Sequence, residues 1–406
     1  MPRDRVVAIV QAGGQGSRMD VLTRERAKPA LPFAGSYQLI DFPMSNLRHS
    51  GIEDVWLSVQ YQAHSLDEEV SNGRSWDLDR EQGGFRLLMP QEGGSPDADG
   101  FANGNADQLF RLRDQITGAR APITLVLSSD HVYKFDFRDA IETHLSKSAE
   151  CTVVTTEVSR DEATEHATVS TNRLGRVTRF AYKPARPTTG TIATEIFVYD
   201  TAVLVDVLDE LHRELTATAQ PDSNGLGDFG HHLLPRLVDR GRTFGHAMSG
   251  YWRDLGRPET YLAAHQDLVR GETGLFDDPA WPIMARLPQR SPALVTSSAR
   301  AEDSLVSPGC RIAGTVRRSV LGPGVVVEKG ARVSDSVLFA DVRLESGADV
   351  SWSIVDRTSV IAGRVGGRPS RQPAPSDQLT LVGRDCQVHS GVTVGRGARL
   401  EPGTTV

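Results

Sequence analysis

The C-terminal part of the chain carries a six-residue hydrophobic repeat, which few folds accommodate. Aliphatic residues recur every six positions between polar and Gly-rich spacers, in four runs: Leu321, Val327, Val333; Leu338, Leu344, Val350; Val355, Ile361; and Val382, Val388, Val394, Leu400, Val406. Leu321, Leu338 and Val355 stand seventeen apart, as expected for coils with three short faces and one tightened corner. The pattern predicts a parallel β-helix. An antiparallel sandwich is the alternative, although its strands would show a period of two.

The preceding part of the chain, from Val6 to about Val269, alternates short β-branched runs with longer mixed segments, which is typical of an α/β protein with a mainly parallel sheet. The predicted strands are 6–10, 55–59, 123–127, 152–156 and 196–199, and the first and third are apolar enough to be central. The predicted helices are 106–115, 137–146, 202–215 and 229–240, with Asp200-Thr201 capping the third.

Two segments lack a clean period and separate or interrupt these regions. Residues 271–299 are rich in Pro, Asp and Ser and predict a linker. Residues 364–380, full of Gly, Arg, Pro and Ser, break the six-residue step and predict an excursion loop. The predicted domains are therefore 1–270, a linker at 271–299, and the repeat domain 300–406.

Composition and charge exclude two classes of partner. Of the 406 residues, 39% are hydrophobic and 24% are charged, enough apolar material for a sizeable core. The net charge is −7, and Lys and Arg form no basic run. A nucleic acid or an anionic membrane is therefore excluded as a partner, because neither would be attracted over long range.

The cysteines and the N-terminal segment predict a cytoplasmic protein. Cys151, Cys310 and Cys386 are far apart and match neither a zinc-ligand spacing nor a disulfide framework. Only five apolar residues follow the charged N-terminal residues, too few for the core of a signal peptide, and no later run has the length of a membrane span.

A glycine-rich turn follows the first predicted strand and has the composition of a phosphate-binding loop. It reads AGGQGSR from Ala12, and RAKP follows from Arg26. Glycines let backbone N–H groups approach a phosphate, while Arg18 and Lys28 can neutralise the oxygens of a leaving pyrophosphate. It is not a dinucleotide fingerprint, because Met19 stands at the third glycine position. A plain turn without function is the alternative.

Two aspartates supply candidate metal ligands. Asp130 follows a predicted central strand, where the carboxyl ends of parallel strands face a ligand crevice. It is placed to hold a metal over a triphosphate. Asp254, in YWRDLG, can supply a second carboxylate. A helix cap or a turn aspartate is the alternative for Asp130. A common metal site requires the two carboxylates to lie close together in the folded chain.

Taken in order, these motifs resemble the ADP-glucose pyrophosphorylase (glucose-1-phosphate adenylyltransferase) family of bacterial type over nearly the full length of the chain. Besides the glycine-rich turn, the matching stretches are Arg26-Ala27-Lys28-Pro29-Ala30, Leu39-Ile40-Asp41-Phe42, Ser45-Asn46-Leu47, Ser50-Gly51-Ile52, Gln60-Tyr61, His64-Ser65-Leu66, Gly104-Asn105-Ala106-Asp107, Ser129-Asp130-His131, Asp228-Phe229-Gly230 and Tyr251-Trp252-Arg253-Asp254. A series of this length is more specific than any one motif.

The resemblance implies a fold, an activity and a set of site residues. The fold is α/β, a Rossmann-like domain with a mixed or parallel sheet, followed by a left-handed parallel β-helix. The implied reaction joins ATP, or another NTP, to a sugar 1-phosphate with Mg²⁺, most directly forming ADP-glucose and pyrophosphate for glycogen synthesis. The implied roles are nucleotide binding by Ala12, Gly13, Gly14, Gln91 and Gly104, pyrophosphate stabilisation by Arg18 and Lys28, metal binding by Asp130 and Asp254, and sugar-phosphate binding by Lys183. A homo-oligomer, by family a tetramer, is also implied.

Several positions depart from the family pattern and leave the substrates open. On the sugar side, the changed positions are Phe101-Ala102, His166-Ala167, Tyr182 and Ala193-Thr194-Glu195, which replace the family's Trp-Tyr, Phe-Gly, Glu and Ser-x-Gly. The loss of groups that hydrogen-bond to sugar hydroxyls strongly changes how well a site distinguishes one sugar from another. Another sugar 1-phosphate is therefore an alternative substrate. Gln11 replaces a Leu and is predicted to alter a contact with ribose or base. Glu25 replaces the activator lysine of many members, and we predict altered or absent activation by sugar phosphates.

Two other functions remain as alternatives. One is a catalytically silent regulatory homologue, which the changed positions of the sugar site suggest. The other is acyl transfer by the β-helix, suggested only by His389, which we interpret as a solvated residue at a repeat corner.

Overall fold

The computed structural model of the protein describes residues 5–14, 16–81, 83–90, 100–218, 225–368 and 376–406. Contacts divide the chain into two compact units, which we call the sheet unit and the β-helix unit. The sheet unit comprises Met1–Gln15, Pro43–Ser129 and Tyr133–Trp252, and the β-helix unit comprises Gly16–Phe42, Asp130–Val132 and Arg253–Val406. The predicted division into contiguous domains, 1–270, 271–299 and 300–406, stays a prediction.

A mixed nine-stranded sheet forms the core of the sheet unit. Its main path runs Val177–Ala181, Thr168–Thr171, Thr191–Asp200, Ile123–Ser128, Val6–Ala12, Asp54–Val59 and Gly84–Leu88, while Cys151–Glu157 pairs with Thr191–Asp200 and with Thr243–Ala247. The path is parallel from Ile123–Ser128 onward, and Thr191–Asp200 pairs antiparallel with Ile123–Ser128. All five predicted strands are confirmed. The two most apolar, Val6–Ala12 and Ile123–Ser128, are central, because both of their faces are buried.

The four predicted helices agree with the structure except at two places, and three further helices were not predicted: Asp41–His49, Ala63–Val70 and Pro258–Val269. The bounds of the helices in the predicted regions are Asn105–Arg111, Arg113–Ala119, Phe137–Ser146, Thr201–Thr218 and Leu233–Asp239. The predicted cap is confirmed, since Asp200 Oδ1 accepts the Val203 N–H at 3.0 Å. Within the described ranges, no helix combines the length and apolar character needed to cross a bilayer.

The predicted helix 106–115 is wrong in its continuity. Two helices meet at Leu112, whose φ of −90° and ψ of −2° turn the chain. Leu109, Leu112 and Ile116 all belong to one buried core cluster. The bend therefore keeps the apolar side chains of both helices in the same core, a requirement that helical periodicity does not report.

The predicted helix 229–240 is wrong at its start, because the helix begins at Leu233. The Phe229 N–H donates to Asn105 Oδ1 at 2.7 Å, and the Asp228 N–H donates to His231 Nδ1 at 3.1 Å. These side-chain acceptors hold Asp228 and Phe229 in a turn. The contact with Asn105 spans more than a hundred residues, so the local sequence does not reveal it.

The β-helix consists of three parallel six-stranded sheets, as the repeat predicted. The first contains Leu294–Val295, Arg311–Ile312, Val326–Val327, Arg343–Leu344, Val360–Ile361 and Gln387–Val388; the second contains Arg300–Glu302, Thr315–Arg317, Arg332–Ser334, Asp349–Ser351, Arg364–Gly366 and Thr393–Val394; the third contains Leu305–Val306, Val320–Leu321, Val337–Leu338, Ser353–Val355, Thr380–Val382 and Arg399–Leu400. Leu321, Leu338 and Val355 are in register, which confirms the seventeen-residue coil. The fold class is therefore the predicted one, a Rossmann-like mixed sheet and a left-handed parallel β-helix.

A ladder of buried serines sets the corner of successive coils. Ser319, Ser336 and Ser353 are at most 1% exposed and stand one coil apart. The hydroxyl of Ser319 accepts the Ser336 N–H, and that of Ser336 accepts the Ser353 N–H, each at 3.2 Å. Each hydroxyl also donates to the carbonyl two residues earlier. Every buried corner hydroxyl is thus paired, which avoids the cost of an unsatisfied polar group.

The predicted excursion at 364–380 is wrong at its edges. Arg364–Gly366 is a regular strand of the second sheet, and pairing resumes in the third sheet at Thr380–Val382. The interruption lies between these strands, and residues 369–375 lie outside the described residues. Backbone pairing with the neighbouring coil, rather than the polar composition, decides where the coil ends.

A neutral histidine is buried in the β-helix unit. His265 is 1% exposed; its Nδ1 lies 2.8 Å from the Tyr261 carbonyl, and its Nε2 lies 3.2 Å from the Ala34 N–H. A carbonyl only accepts and an amide N–H only donates, so the proton resides on Nδ1. Burial lowers the pKa of His265 to about 4, because the charged ring would be desolvated.

Because His265 is buried in its neutral form, we predict that the stability of the fold decreases at acidic pH. The unfolded chain binds a proton on His265 below its ordinary pKa of 6.5, whereas the folded chain does so only near 4. The contribution to stability is therefore complete above pH 6.5 and is lost as the pH falls toward 4. We expect the free energy of unfolding to fall by about 2 kcal/mol between pH 7 and pH 5 from this group. Urea denaturation of the chain and of His265→Gln at both values measures it, and equal losses in both proteins contradict it.

Candidate active site

Three potential metal ligands lie together in the β-helix unit. Oxygens of Asp130 and Asp254 and a ring nitrogen of His131 all lie within 4.8 Å of one another. His131 Nε2 is 3.4 Å from Asp130 Oδ1 and 3.7 Å from Asp254 Oδ1. The Leu255 N–H donates to the Asp130 carbonyl at 3.3 Å, which ties the two aspartate segments together. We call these three residues the acidic cluster. Sequence reasoning missed His131, whose adjacency to Asp130 was the available signal.

Lys28 places its ammonium on the acidic cluster. It starts the short 3₁₀ helix Lys28–Ala30 and is 8% exposed. Its Nζ contacts Asp130 Oδ2 and lies 3.9 Å from Asp254 Oδ1. Burial acts to lower the pKa of Lys28, but the carboxylates of Asp130 and Asp254 outweigh it, and the net pKa is raised. The lysine is therefore charged while it competes with any other cation for these oxygens.

The cluster has the chemistry of a divalent-cation site. Asp254 Oδ1 is buried and accepts no hydrogen bond from the described residues. A buried carboxylate oxygen in that state is stabilised by a cation. Mg²⁺ prefers oxygen ligands and is typically bound by one or two carboxylates together with substrate phosphates. Asp130 and Asp254 fit that requirement.

Arg18 adds an exposed cation to this region of the β-helix unit. It lies in the 3₁₀ segment Ser17–Thr23 and forms no ion pair with any described residue. A Cβ added to Gly256 would lie 3.0 Å from Asp254 Oδ1 and 3.3 Å from an Arg18 guanidinium nitrogen. Gly256 thus leaves the space in which Arg18 approaches Asp254. Sequence reasoning assigned no role to Gly256.

In the sheet unit, the glycine-rich turn rests on glutamine side chains. Ala12 ends its strand and is 5% exposed. The Gly13 carbonyl accepts Gln60 Nε2 at 3.3 Å, and Gln60 Oε1 accepts the Ala102 N–H at 2.5 Å. A Cβ at Gly13 would lie 2.6 Å from Gln60 Nε2, so a larger residue here would displace the Gln60 amide. Gly14 is exposed, with open space around it.

Gly104 forms a second tight turn in the sheet unit. Its φ is 110°, a conformation that favours glycine, and a Cβ there would lie 2.3 Å from the Gly227 carbonyl carbon. The N–H groups of Ala106 and Asp107 both donate to the Gly227 carbonyl, at 3.0 and 3.2 Å. The turn is therefore fixed by backbone contact with the segment that precedes Asp228.

Tyr182 and Lys183 follow the strand Val177–Ala181. The Tyr182 hydroxyl donates to Asp228 Oδ2 at 2.9 Å. Lys183 is exposed; its Nζ lies 5.0 Å from the Tyr182 ring centroid, and it has no ion-pair partner among the residues that the structure describes. An uncompensated ammonium of this kind is available to an anion. The contact between Tyr182 and Asp228 was not foreseen, because 46 residues separate the two.

Other positions singled out from the sequence have different outcomes. Gln91 lies outside the described residues. The Gln11 side chain is buried and donates within the protein, so its predicted contact with ribose or base is replaced by internal hydrogen bonds. Glu25 pairs with Arg384 at 3.3 Å. His389 is exposed, in keeping with its interpretation as a solvated residue.

The chain is similar in sequence to two protein families and to several named enzymes. Residues 7–271 match the nucleotidyl transferase family, and residues 292–368 match the GlmU-like C-terminal hexapeptide family. The glucose-1-phosphate adenylyltransferase of Bacillus cereus (strain Q1) is 34% identical over 382 residues, which cover 94% of this chain and 98% of that protein. The enzymes of the same name from Bacillus mycoides (strain KBAB4) and Bacillus anthracis give the same identity and coverage.

Proposed function

Because this chain belongs to the glucose-1-phosphate adenylyltransferase family of nucleotidyl transferases, we propose that it transfers the adenylyl group of ATP to α-D-glucose 1-phosphate. The products are ADP-glucose, a precursor of glycogen and related α-glucans, and pyrophosphate. The observation that carries the proposal is the acidic cluster with Lys28 against it, because a carboxylate pair beside cations is what transfer between phosphates requires. Another sugar 1-phosphate or another NTP is the alternative.

We assign Asp130 and Asp254 as the ligands of Mg²⁺. Their oxygens lie within the 4.8 Å cluster, and the buried Asp254 Oδ1 accepts no hydrogen bond from the part of the chain that the structure describes. Bound Mg²⁺ supplies charge neutralisation at the phosphate oxygens. His131 borders both carboxylates.

The reaction needs no covalent intermediate on the protein. A phosphate oxygen of the sugar 1-phosphate attacks the α-phosphorus of the nucleotide, the bond from the α-phosphorus to the bridging oxygen breaks, and pyrophosphate leaves with the electron pair. We assign Arg18 and Lys28 to the oxygens of the departing pyrophosphate, because both are cationic groups near Asp254. Such transfer depends on positioning and on charge stabilisation.

The substrate-binding roles are assigned to backbone segments and to Lys183 of the sheet unit. We assign the backbone at Ala12, Gly13, Gly14 and Gly104 to the nucleotide, because the glycine-rich turn begins where the strand ends at Ala12, Gly14 has open space around it, and Gly104 has the positive φ of a tight turn. We assign Lys183 to the phosphate of the sugar, because its exposed ammonium has no ion-pair partner among the described residues. Gln91 is assigned to the nucleotide on family resemblance alone.

An assay of pyrophosphate release tests the proposal. The purified protein is incubated with Mg²⁺, each NTP in turn, and a panel of sugar 1-phosphates. Release with ATP and glucose 1-phosphate above all other pairs supports the proposal, and release with a different pair identifies the alternative substrates. If no pair yields pyrophosphate, the chain is a silent homologue and the proposal is wrong. Consumption of acetyl-CoA in a parallel assay is the sign of acyl transfer by the β-helix.

Lys28 leads to a prediction about metal affinity. In Lys28→Met the competing ammonium is lost from Asp130 and Asp254, so we expect Mn²⁺ to bind at least tenfold more tightly in the absence of nucleotide. Turnover is expected to fall at the same time. Titration of free Mn²⁺ by electron paramagnetic resonance measures the affinity, and the exposed Lys147→Met is the control that should not change it. Unchanged or weaker binding by Lys28→Met contradicts the competition.

We also propose a cytoplasmic homo-oligomer with no nucleic-acid or membrane partner. The three cysteines are buried as free thiols, which suits a reducing compartment. Coils of a β-helix often pack between subunits, and the family implies a tetramer. Sedimentation of the purified protein at micromolar concentration tests the assembly, and a monomer would contradict it.

A further inference from the structure

Two glutamines form a buried hydrogen-bonded pair in the sheet unit. Gln11 is 7% exposed and Gln108 is 4% exposed. Gln11 Nε2 donates to the Asn105 carbonyl at 2.8 Å and to Gln108 Oε1 at 3.1 Å. Gln108 Nε2 donates in turn to the Ser58 hydroxyl at 2.7 Å and to the Ser58 carbonyl at 3.4 Å. Both hydrogens of each amide are therefore used within the protein.

The orientation of both amides is dictated by their partners. A backbone carbonyl only accepts, so Gln11 must turn its nitrogen toward Asn105, and Gln108 must turn its nitrogen toward Ser58. Gln108 Oε1 is then the acceptor that remains for Gln11. Reversing either amide would place two acceptors together at a buried position, at a cost on the order of 1–3 kcal/mol. The pair is thus a rigid connection with one hydrogen-bonding pattern.

The pair connects the two turns that we assign to the nucleotide. Gln11 immediately precedes Ala12 and Gly13, and Asn105 immediately follows Gly104. Gly13 also rests on the pair, since a Cβ there would lie 3.1 Å from Gln108 Oε1. Ser58 anchors the far end at the neighbouring strand Asp54–Val59. The pair therefore links the two turns through buried side-chain hydrogen bonds.

We propose that Gln11 and Gln108 are positioning residues that hold the two turns at the separation the nucleotide requires. The proposal rests on the proposed function, because it presumes that these turns bind the NTP. It predicts that loss of the pair weakens nucleotide binding selectively and leaves the affinity for the sugar 1-phosphate nearly unchanged. A pair with a structural role alone would affect stability and both substrates together.

The test replaces both partners at once. In the double variant Gln11→Leu with Gln108→Leu, both amides are removed together, while the Asn105 carbonyl and the Ser58 hydroxyl each lose a donor. The fold is therefore expected to be kept with a lower melting temperature. We expect the KM for ATP and the dissociation constant of MgATP, measured by calorimetry without sugar phosphate, to rise about tenfold, as for the loss of one to two net hydrogen bonds. The KM for the sugar 1-phosphate and kcat should each change less than about twofold, because the hydrogen bonds of the pair within the described residues involve neither Lys183 nor the acidic cluster.

Thr124→Val is the matched control. Thr124 is fully buried in the same sheet and shares a 2.9 Å hydrogen bond with Thr201, remote in sequence from both turns. It should lower the melting temperature without changing the ratio of the two KM values. The single variant Gln11→Leu, with its melting temperature measured, provides the same comparison if the double variant fails to fold.

The outcomes separate the two proposals. If the double variant binds MgATP as tightly as the unaltered protein, or if both KM values rise equally, the positioning role is wrong while the proposed function stands. If the unaltered protein neither binds MgATP nor releases pyrophosphate, the proposed function fails, and this role fails with it.

Discussion

Asp130→Asn is expected to lower the rate of pyrophosphate release on the order of a thousandfold, while the protein stays folded. Asparagine has the size of aspartate but no charge, so the cation loses a ligand and Lys28 loses its closest carboxylate. Charge stabilisation by a metal contributes several kcal/mol to such a transition state, and each 1.36 kcal/mol corresponds to about tenfold in rate. The neighbouring Asp254 carboxylate alone does not replace it.

The measurement is kcat with saturating MgATP and sugar 1-phosphate, together with Mn²⁺ affinity. Asp335→Asn is the control: Asp335 pairs with Arg318 at 2.7 Å on the outside of the β-helix, and its substitution should leave kcat unchanged. If Asp130→Asn keeps more than about a tenth of the activity, the loss of transition-state stabilisation is too small for a metal ligand. The assignment of Asp130 to the metal is then wrong.

Asp356→Ala is expected to destabilise the β-helix unit by about 3–5 kcal/mol, the largest effect on stability that we anticipate. Asp356 and Arg26 are 1% and 6% exposed and are joined at 2.7 Å. Arg26 also lies over the Phe339 ring, 5.4 Å from its centroid. Its other terminal nitrogen, Nη1, is buried and has no hydrogen bond with any described residue. Removing Asp356 therefore takes away the carboxylate that pairs with this guanidinium in a site with little water.

Equilibrium unfolding in urea measures this loss. Asp335→Ala removes a half-buried carboxylate from a comparable Arg–Asp pair whose arginine is exposed, and it should cost less than about 1 kcal/mol, because water solvates the arginine that remains. Replacing both partners, as Arg26→Met with Asp356→Leu, should recover most of the stability, because no charge is left buried. Equal losses for Asp356→Ala and Asp335→Ala would show that the buried pair carries no special cost.

The functional consequence of this pair follows from its place in the chain. Arg26 lies two residues before Lys28, within Gly16–Phe42, a segment that belongs to the β-helix unit. The ion pair with Asp356 therefore anchors the segment that carries Lys28 and Arg18. Loss of the pair is expected to lower kcat as well as stability, which the pyrophosphate assay can follow at a temperature where the variant is folded.

The regular parts of the fold could be predicted because their signals are local and repeat. Each coil of the β-helix directs one aliphatic side chain inward at every face, so Val316, Val333 and Val350 stack with at most 1% exposure and leave their period in the sequence. The central strands are continuous apolar runs for a similar reason, since both faces are covered. Asp130 and Asp254 could be proposed as ligands because each lies in a motif of distinctive composition.

The remaining features depend on contacts between distant residues, which leave no period in the sequence. The pairing of Arg26 with Asp356 spans 330 residues, and that of Lys28 with Asp130 spans 102. The break at Leu112 and the internal role of Gln11 likewise follow from what packs beside them. The sequence by itself determined the repeat, the sheet and the chemical character of the site, because composition and spacing act locally. Only the tertiary structure decided which charges and amides meet, because burial and pairing are properties of the folded chain.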